Sequence, residues 1–201
     1  MKDSIIILLF FMTGILLGRF NWYPGNMDIT LFTRYALYFL LVLVGITIGM
    51  DKRVWVYFRR LQLKILLVPL GTIVGSAIGA IFYSMIFSYP DYIDALAISA
   101  GYGYYSLSSI MITELAGKSL GLIALLSNIT REIFTLLAAP LLSRFFGQLA
   151  PVTSGGATSM DTTLPVILKH TSPGYSIIAI THGIILSIFV PVIISILYKL
   201  S

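Results

Sequence analysis

The chain has 201 residues, 58% of them hydrophobic and only 10% charged, with a mean hydropathy of +0.96. A soluble domain of this size carries roughly a quarter charged residues, so the composition excludes that class and indicates an integral membrane protein. The net charge of +5 does not point to nucleic acid, because five of the thirteen basic residues (Lys52, Arg53, Arg59, Arg60 and Lys64) sit in one segment, "DKRVWVYFRRLQLK". With no cysteine there are no disulfides or thiolate metal sites. The two histidines, His170 and His182, are too few and too far apart for a zinc motif.

The first uncharged run, residues 4–18, is short for the roughly 20 apolar residues of a span. Arg19 can snorkel and Phe20 can extend it. Lys2 and the apolar core also fit a signal peptide, but "TGILLGR" is a poor small-x-small cleavage site, and an uncleaved span at about 4–20 is the reading adopted. Residues 21–28, "NWYPGNMD", form a loop with turn residues and aromatic anchors. Two further ordinary spans are predicted at about 29–50 and 62–88. Short loops rich in Lys and Arg stay cytoplasmic, and Trp55, Tyr57 and Phe58 fit an interfacial belt. The opposite loop, "SYPDYID", has two aspartates and no base. The N-terminus and loop 51–64 are therefore expected inside and residues 89–94 outside. Gly71, Gly75 and Gly79 have the small-xxx-small spacing that lets another helix approach closely.

The second half of the chain changes character. Segment 95–115 contains "SAGYGYYSLSS", where Gly101 and Gly103 loosen the helix. Segment 119–143 is uncharged except for Arg131 and Glu132 near its middle. "TSGGATSMDTTLPVIL" follows at 153–168, then a clean span at about 175–197. The expected fold is all-α: a single transmembrane domain of 1–201 with six or seven segments. Residues 1–90 form regular spans and 91–201 carry interrupted helices, with 153–169 either crossing fully or re-entering. If every segment crosses, the breaks near Gly101 and Gly155 run parallel. Because inverted-repeat transporters cross two broken helices in opposite directions, a counterpart from another chain is then expected.

Of the eight acidic residues, Asp3, Asp28, Asp51, Asp91 and Asp94 lie at span ends or in loops. Glu114 stands four residues before Lys118, an i,i+4 pair spacing at the interface. Glu132 and Asp161 remain, each costing about 2.5–3.5 kcal/mol at mid-bilayer unless it faces a cavity or a partner. On a helix, Asn128, Glu132 and Thr135 share one face, and Thr158, Asp161, Thr162 and Pro165 another. Pro165 has no N–H for the carbonyl of Asp161, and Gly155 and Gly156 permit unwound backbone. Irregular backbone at membrane depth is tolerated only inside protein or along a cavity. The stretch reads as a cation-binding broken helix, with Na+ near Asp161 or protons as coupling ion and no other cofactor. Tyr102 and Tyr105 could hold an ammonium by their ring faces, and Ser106 offers a hydroxyl. The plainer alternative pairs Arg131 structurally with Asp161.

Four stretches, "SAGYGYYSLSSIMITELAG", "LSNITREIFTLLAAPLL", "GGATSMDTTLPVIL" and "AITHGIILSIFVPVIIS", together resemble the lysine exporter (LysO) family of prokaryotic inner-membrane transporters. The resemblance implies export of L-lysine and toxic analogues such as thialysine. It also implies a functional pair of intramembrane acids, falling on Glu132 and Asp161. Longer members carry an extra hydrophobic N-terminal portion, and some prokaryotes resemble a split version in which a small subunit supplies it. A homodimer, or a complex with such a subunit, is therefore expected, within the lipid bilayer and with a small cationic amino acid as substrate. The rivals are a sodium-coupled transporter of organic anions, with Arg131 receiving the anion, and a channel-like or structural subunit. An intramembrane protease would need His182 with Ser106 or Ser159, and no Gly-x-Ser-x-Gly context supports it.

Overall fold

The computed structural model describes residues 13, 16–17, 19–20, 31–32, 35–36, 38–39, 42, 46, 50, 63–172 and 174–200. The chain divides into two compact units, Met1–Leu41 and Val42–Ser201. In the first, every described position is helical except Phe20, which turns, and Tyr35 and Tyr38 meet edge to face. Most of the two spans expected at 4–20 and 29–50, and the basic loop through residue 62, lie outside the described residues.

In the second unit the described elements are helices and turns. They are α1 (Leu63–Ile86), α2 (Tyr92–Ser99), α3 (Tyr105–Ala116), α4 (Lys118–Phe146) and α5 (Ala150–Gly155). A 3₁₀ turn (Gly156–Met160), α6 (Leu164–Lys169) and α7 (Tyr175–Leu200) complete it. Among the described residues, three helices, α1, α4 and α7, are long and apolar enough to cross a membrane. With 29 residues at about 1.5 Å each, α4 measures roughly 43 Å.

Both interrupted segments double back. Gly117, at φ +97, ends α3 and starts α4, and α3 then packs antiparallel along α4, with Thr113 and the Ser109 carbonyl against Gly121. The start of α2 lies at the same end of the unit, since Ala95 and Ile98 share a cavity wall with Ile123 of early α4 and with Ala80 and Tyr83 of late α1. Helices α2 and α3 are thus the arms of hairpin A. At the opposite end, Gln148 Oε1 accepts from the Ser172 N–H at 2.9 Å, and Ser143 Oγ donates to the His170 carbonyl at 2.6 Å. The chain from 148 to 172 therefore enters and leaves at one level, forming hairpin B (α5, the 3₁₀ turn and α6). Helix α7 then runs back, and Tyr198 donates to Asp94 Oδ1 at 2.8 Å beside the start of α2.

This arrangement replaces the parallel breaks that seven full crossings would require. A span followed by a hairpin (α1 with A) is repeated upside down (α4 with B), and the hairpin tips meet. The Ala157 N–H donates to the Tyr102 carbonyl at 2.7 Å. Gly156, at φ +63, stands so close to that carbonyl that a Cβ there would collide with it.

One further expectation changes. Gly117 interrupts the helix between Glu114 and Lys118, so their i,i+4 spacing does not hold. Gly71, Gly75 and Gly79 are exposed, and no described atom comes within 4 Å of a Cβ built on them.

The cysteine-free sequence allows a direct test. Single cysteines at Gln148 and Ser172 should react with an impermeant thiol reagent from one face of the membrane, and cysteines at Tyr92 and Gly117 from the other. Gly156→Ala should destabilise the protein by about 1–3 kcal/mol for the backbone strain alone, read as a lower melting midpoint.

Candidate functional site

Polar side chains of α4 hold both hairpins. Asn128, 3% exposed, accepts from the Gly103 N–H at 2.7 Å and donates to the carbonyls of Ile98 (3.1 Å) and Ala124 (2.9 Å). It therefore secures both the end of α2 and the turn beyond it. One helical turn on, Arg131 donates through Nε to the Ser154 carbonyl and through Nη2 to the Thr153 carbonyl, both at 2.9 Å, and through Nη1 to Ser76 Oγ of α1 at 3.2 Å. The last carbonyls of a helix lack intrahelical partners, and a cation there complements the dipole. Arg131 is thus the C-terminal cap of α5 and reaches no carboxylate among the described residues, which corrects the Arg131–Asp161 pair.

His182, fully buried, pins the other side of hairpin B. Its Nδ1 lies 3.1 Å from both the Gly156 carbonyl and Ser159 Oγ, and its Nε2 lies 2.9 Å from Thr72 Oγ1 of α1. A carbonyl only accepts, so the Gly156 contact places the proton on Nδ1, leaving Nε2 as an acceptor that shares the Thr72 hydroxyl with the Val68 carbonyl. Ser159 also bonds the Ala179 carbonyl at 2.8 Å. The Ser159–His182 contact weighed as a protease dyad is thus a packing tie within the core, where both side chains are fully buried. Gly183 lets the tip approach, since a Cβ there would stand 2.7 Å from the Ala157 carbonyl.

Where the tips meet there is a cavity of about 140 Å³. Gly103, Tyr104, Tyr105 and Ser106 line it from hairpin A, Ala157, Thr158, Met160, Asp161 and Thr162 from hairpin B, and Ser187 from α7. Asp161 is exposed. Its Oδ1 accepts from the Thr162 N–H at 2.6 Å and lies 3.4 Å from the Thr162 hydroxyl, while no described donor reaches Oδ2. A cation can therefore be received there by a carboxylate with one free oxygen.

Several proposed ligands have other roles. The Asp161 carbonyl is not freed by Pro165, because the Leu164 N–H takes it at 3.2 Å while Pro165 opens α6. Thr158 and Asp161 do not share a helical face, since one lies in the 3₁₀ turn and the other in the irregular stretch after it. Thr158 Oγ1 donates to the Gly155 carbonyl at 2.8 Å. Gly155 is required for space, as a Cβ there would stand 2.7 Å from Thr163 Oγ1. Tyr102 is 2% exposed and contributes its carbonyl to the tip contact rather than its ring to the cavity, whereas Tyr105 and Ser106 line the wall. Glu132 is half-buried, flanked on α4 by Asn128, which bonds hairpin A, and Thr135, whose hydroxyl lies 2.7 Å from Ser154 Oγ of hairpin B, yet it does not line the cavity, and no described hydrogen bond or ion pair reaches it. Sequence reasoning missed Ser187, although it is the lone polar residue of the apolar run 183–194. A larger cavity of about 260 Å³ near Ala80, Tyr83, Ile98 and Ile123 contains no ionisable group except the Tyr83 phenol.

Among the described residues, three helices long and apolar enough to cross a membrane, with two opposed hairpins meeting at a carboxylate-lined cavity, define the class as an integral membrane protein. A sequence profile described as "Lysine exporter LysO" matches residues 8–198, and the chain belongs to that family. It is 35% identical over 166 residues to a protein of Escherichia coli (strain K12) named "Lysine exporter LysO". That match covers 81% of this chain and 54% of the relative, so the chain spans about half that relative's length. It is 30% identical over 187 residues to a "Putative lysine exporter" of Haemophilus influenzae, covering 90% of each. No solved structure matches.

The separation of the two charges predicts different phenotypes. Arg131→Gln removes a charged cap from two carbonyls and should destabilise the detergent-solubilised protein by about 2–3 kcal/mol. Asp161→Asn, which leaves no buried partner behind, should not move the melting midpoint.

Proposed function

We propose that the chain exports L-lysine and related cationic amino acids across the inner membrane, binding the substrate cation at Asp161. The observation that carries this reading is the free carboxylate oxygen in a cavity walled by both hairpin tips. A substrate there touches elements that enter from opposite ends, so it can bias their relative positions, as a carrier requires. Glu132 contributes the second acid. An unpaired carboxylate at this depth is costly in lipid, which favours its lying on a hydrated path to the cavity.

Exchange for a proton follows from the chemistry, because a proton and an ammonium compete for the same carboxylate oxygen. With loop 51–64 cytoplasmic, hairpin B would enter from the cytoplasm and hairpin A from outside.

Counterflow of labelled lysine in proteoliposomes tests this. An outside-acid gradient should accelerate exit. Asp161→Asn should abolish exchange and Glu132→Gln should reduce it. Full exchange in both variants would overturn the assignment, and exit driven by sodium alone would replace the proton.

A further inference from the structure

The cavity wall carries a second polar feature. Helix α3, 12 residues long, begins at its wall with Tyr104 as N-cap and no side-chain cap. The N–H groups of Tyr105, Ser106 and Leu107 are the orphan donors of its first turn, and no described acceptor reaches them. The Asp161 carboxylate does not serve, because its Oδ1 is turned to the Thr162 N–H. Facing the same space is Ser187 of α7, 1% exposed, whose buried hydroxyl has no hydrogen-bond partner. A buried, unpartnered hydroxyl is expensive, and a mid-helix serine would ordinarily bond back to a carbonyl of its own helix.

We propose that the N-terminus of α3 and the Ser187 hydroxyl bind the α-carboxylate of the transported amino acid while Asp161 binds its cationic end. Helix dipole and free N–H groups together favour an anion at this position, and the hydroxyl donates a further hydrogen bond. With Asp161 lining the same cavity, the site suits a ligand carrying both charges. The class selected is therefore a free amino acid with an unblocked carboxylate, and a diamine of similar length is rejected. The inference rests on the transport reading above and adds the group by which the substrate is told from a simple cation.

The test uses the full-length protein in proteoliposomes and measures competition against labelled lysine by two ligands. One is unlabelled lysine. The other is 1,5-diaminopentane, which keeps both amines and lacks the carboxylate. The diamine should compete at least about ten-fold more weakly in the wild type, as expected for losing a charge-assisted hydrogen bond. Ser187→Ala should weaken lysine several-fold and leave the diamine unchanged, narrowing the ratio between them. Because the readout is a ratio on one protein, a lower yield of folded variant does not alter it. Equal competition by the two ligands in the wild type, or an unchanged ratio in Ser187→Ala, overturns the carboxylate site while leaving lysine transport standing. Absence of any lysine exchange in the wild type removes the transport reading and the carboxylate site together.

Discussion

In hydrocarbon, every backbone N–H and C=O must find a partner within the protein, because no water is present to supply one. Interrupted helices violate this at each break, and the structure is organised around repairing the violation. The central repair is mutual: the Tyr102 carbonyl, freed where hairpin A turns, accepts from the Ala157 N–H, freed where hairpin B turns. Each hairpin makes the other tolerable at membrane depth. The glycines follow from that closeness, since a side chain at Gly156 would strike the Tyr102 carbonyl and one at Gly103 would stand 3.1 Å from the Gly155 carbonyl.

Several other loose ends are taken up by side chains from the long helices. Asn128 and Arg131, three residues apart on α4, secure one tip each, so α4 acts as a common strut. His182 ties the 3₁₀ turn to α1 through Thr72. Polar residues in a span thus divide by what they face. Those aimed at broken backbone are consumed as caps, and those aimed at the cavity, Asp161 and Ser187, keep unsatisfied capacity.

Much of the architecture was legible in the sequence. Uncharged runs located α1, α4 and α7 to within a few residues, and the glycine and proline punctuation located both breaks. The reversal of direction at each break was not legible, because hydropathy is the same whether a segment crosses or returns. Gly117 was the available signal for hairpin A: a glycine between two helical stretches is the usual residue at a helix end that needs positive φ. Helical-wheel reasoning failed where the helix itself failed, which is why Thr158 and Pro165 were grouped with Asp161 by a periodicity the chain does not have there. Arg131 drew attention as a charge seeking a charge, whereas its partners are carbonyls that carry no signature in sequence.

The hairpin arrangement also removes the argument for an inverted second chain. That argument required two breaks running the same way, and among the described residues of this chain they run oppositely. On the proposed export reading, what alternates is then constrained by which ties can be broken cheaply. Asn128 binds hairpin A to α4, and Arg131 and His182 bind hairpin B to α4, α1 and α7, each through several hydrogen bonds. Between the hairpins themselves, the hydrogen bond seen is the one from Ala157 to Tyr102. Separating the tips there leaves one donor and one acceptor unpaired, at about 1–3 kcal/mol per buried group, unless water or substrate takes their place. The cavity opens beside this bond, so the ligand that enters it is positioned to offset that loss.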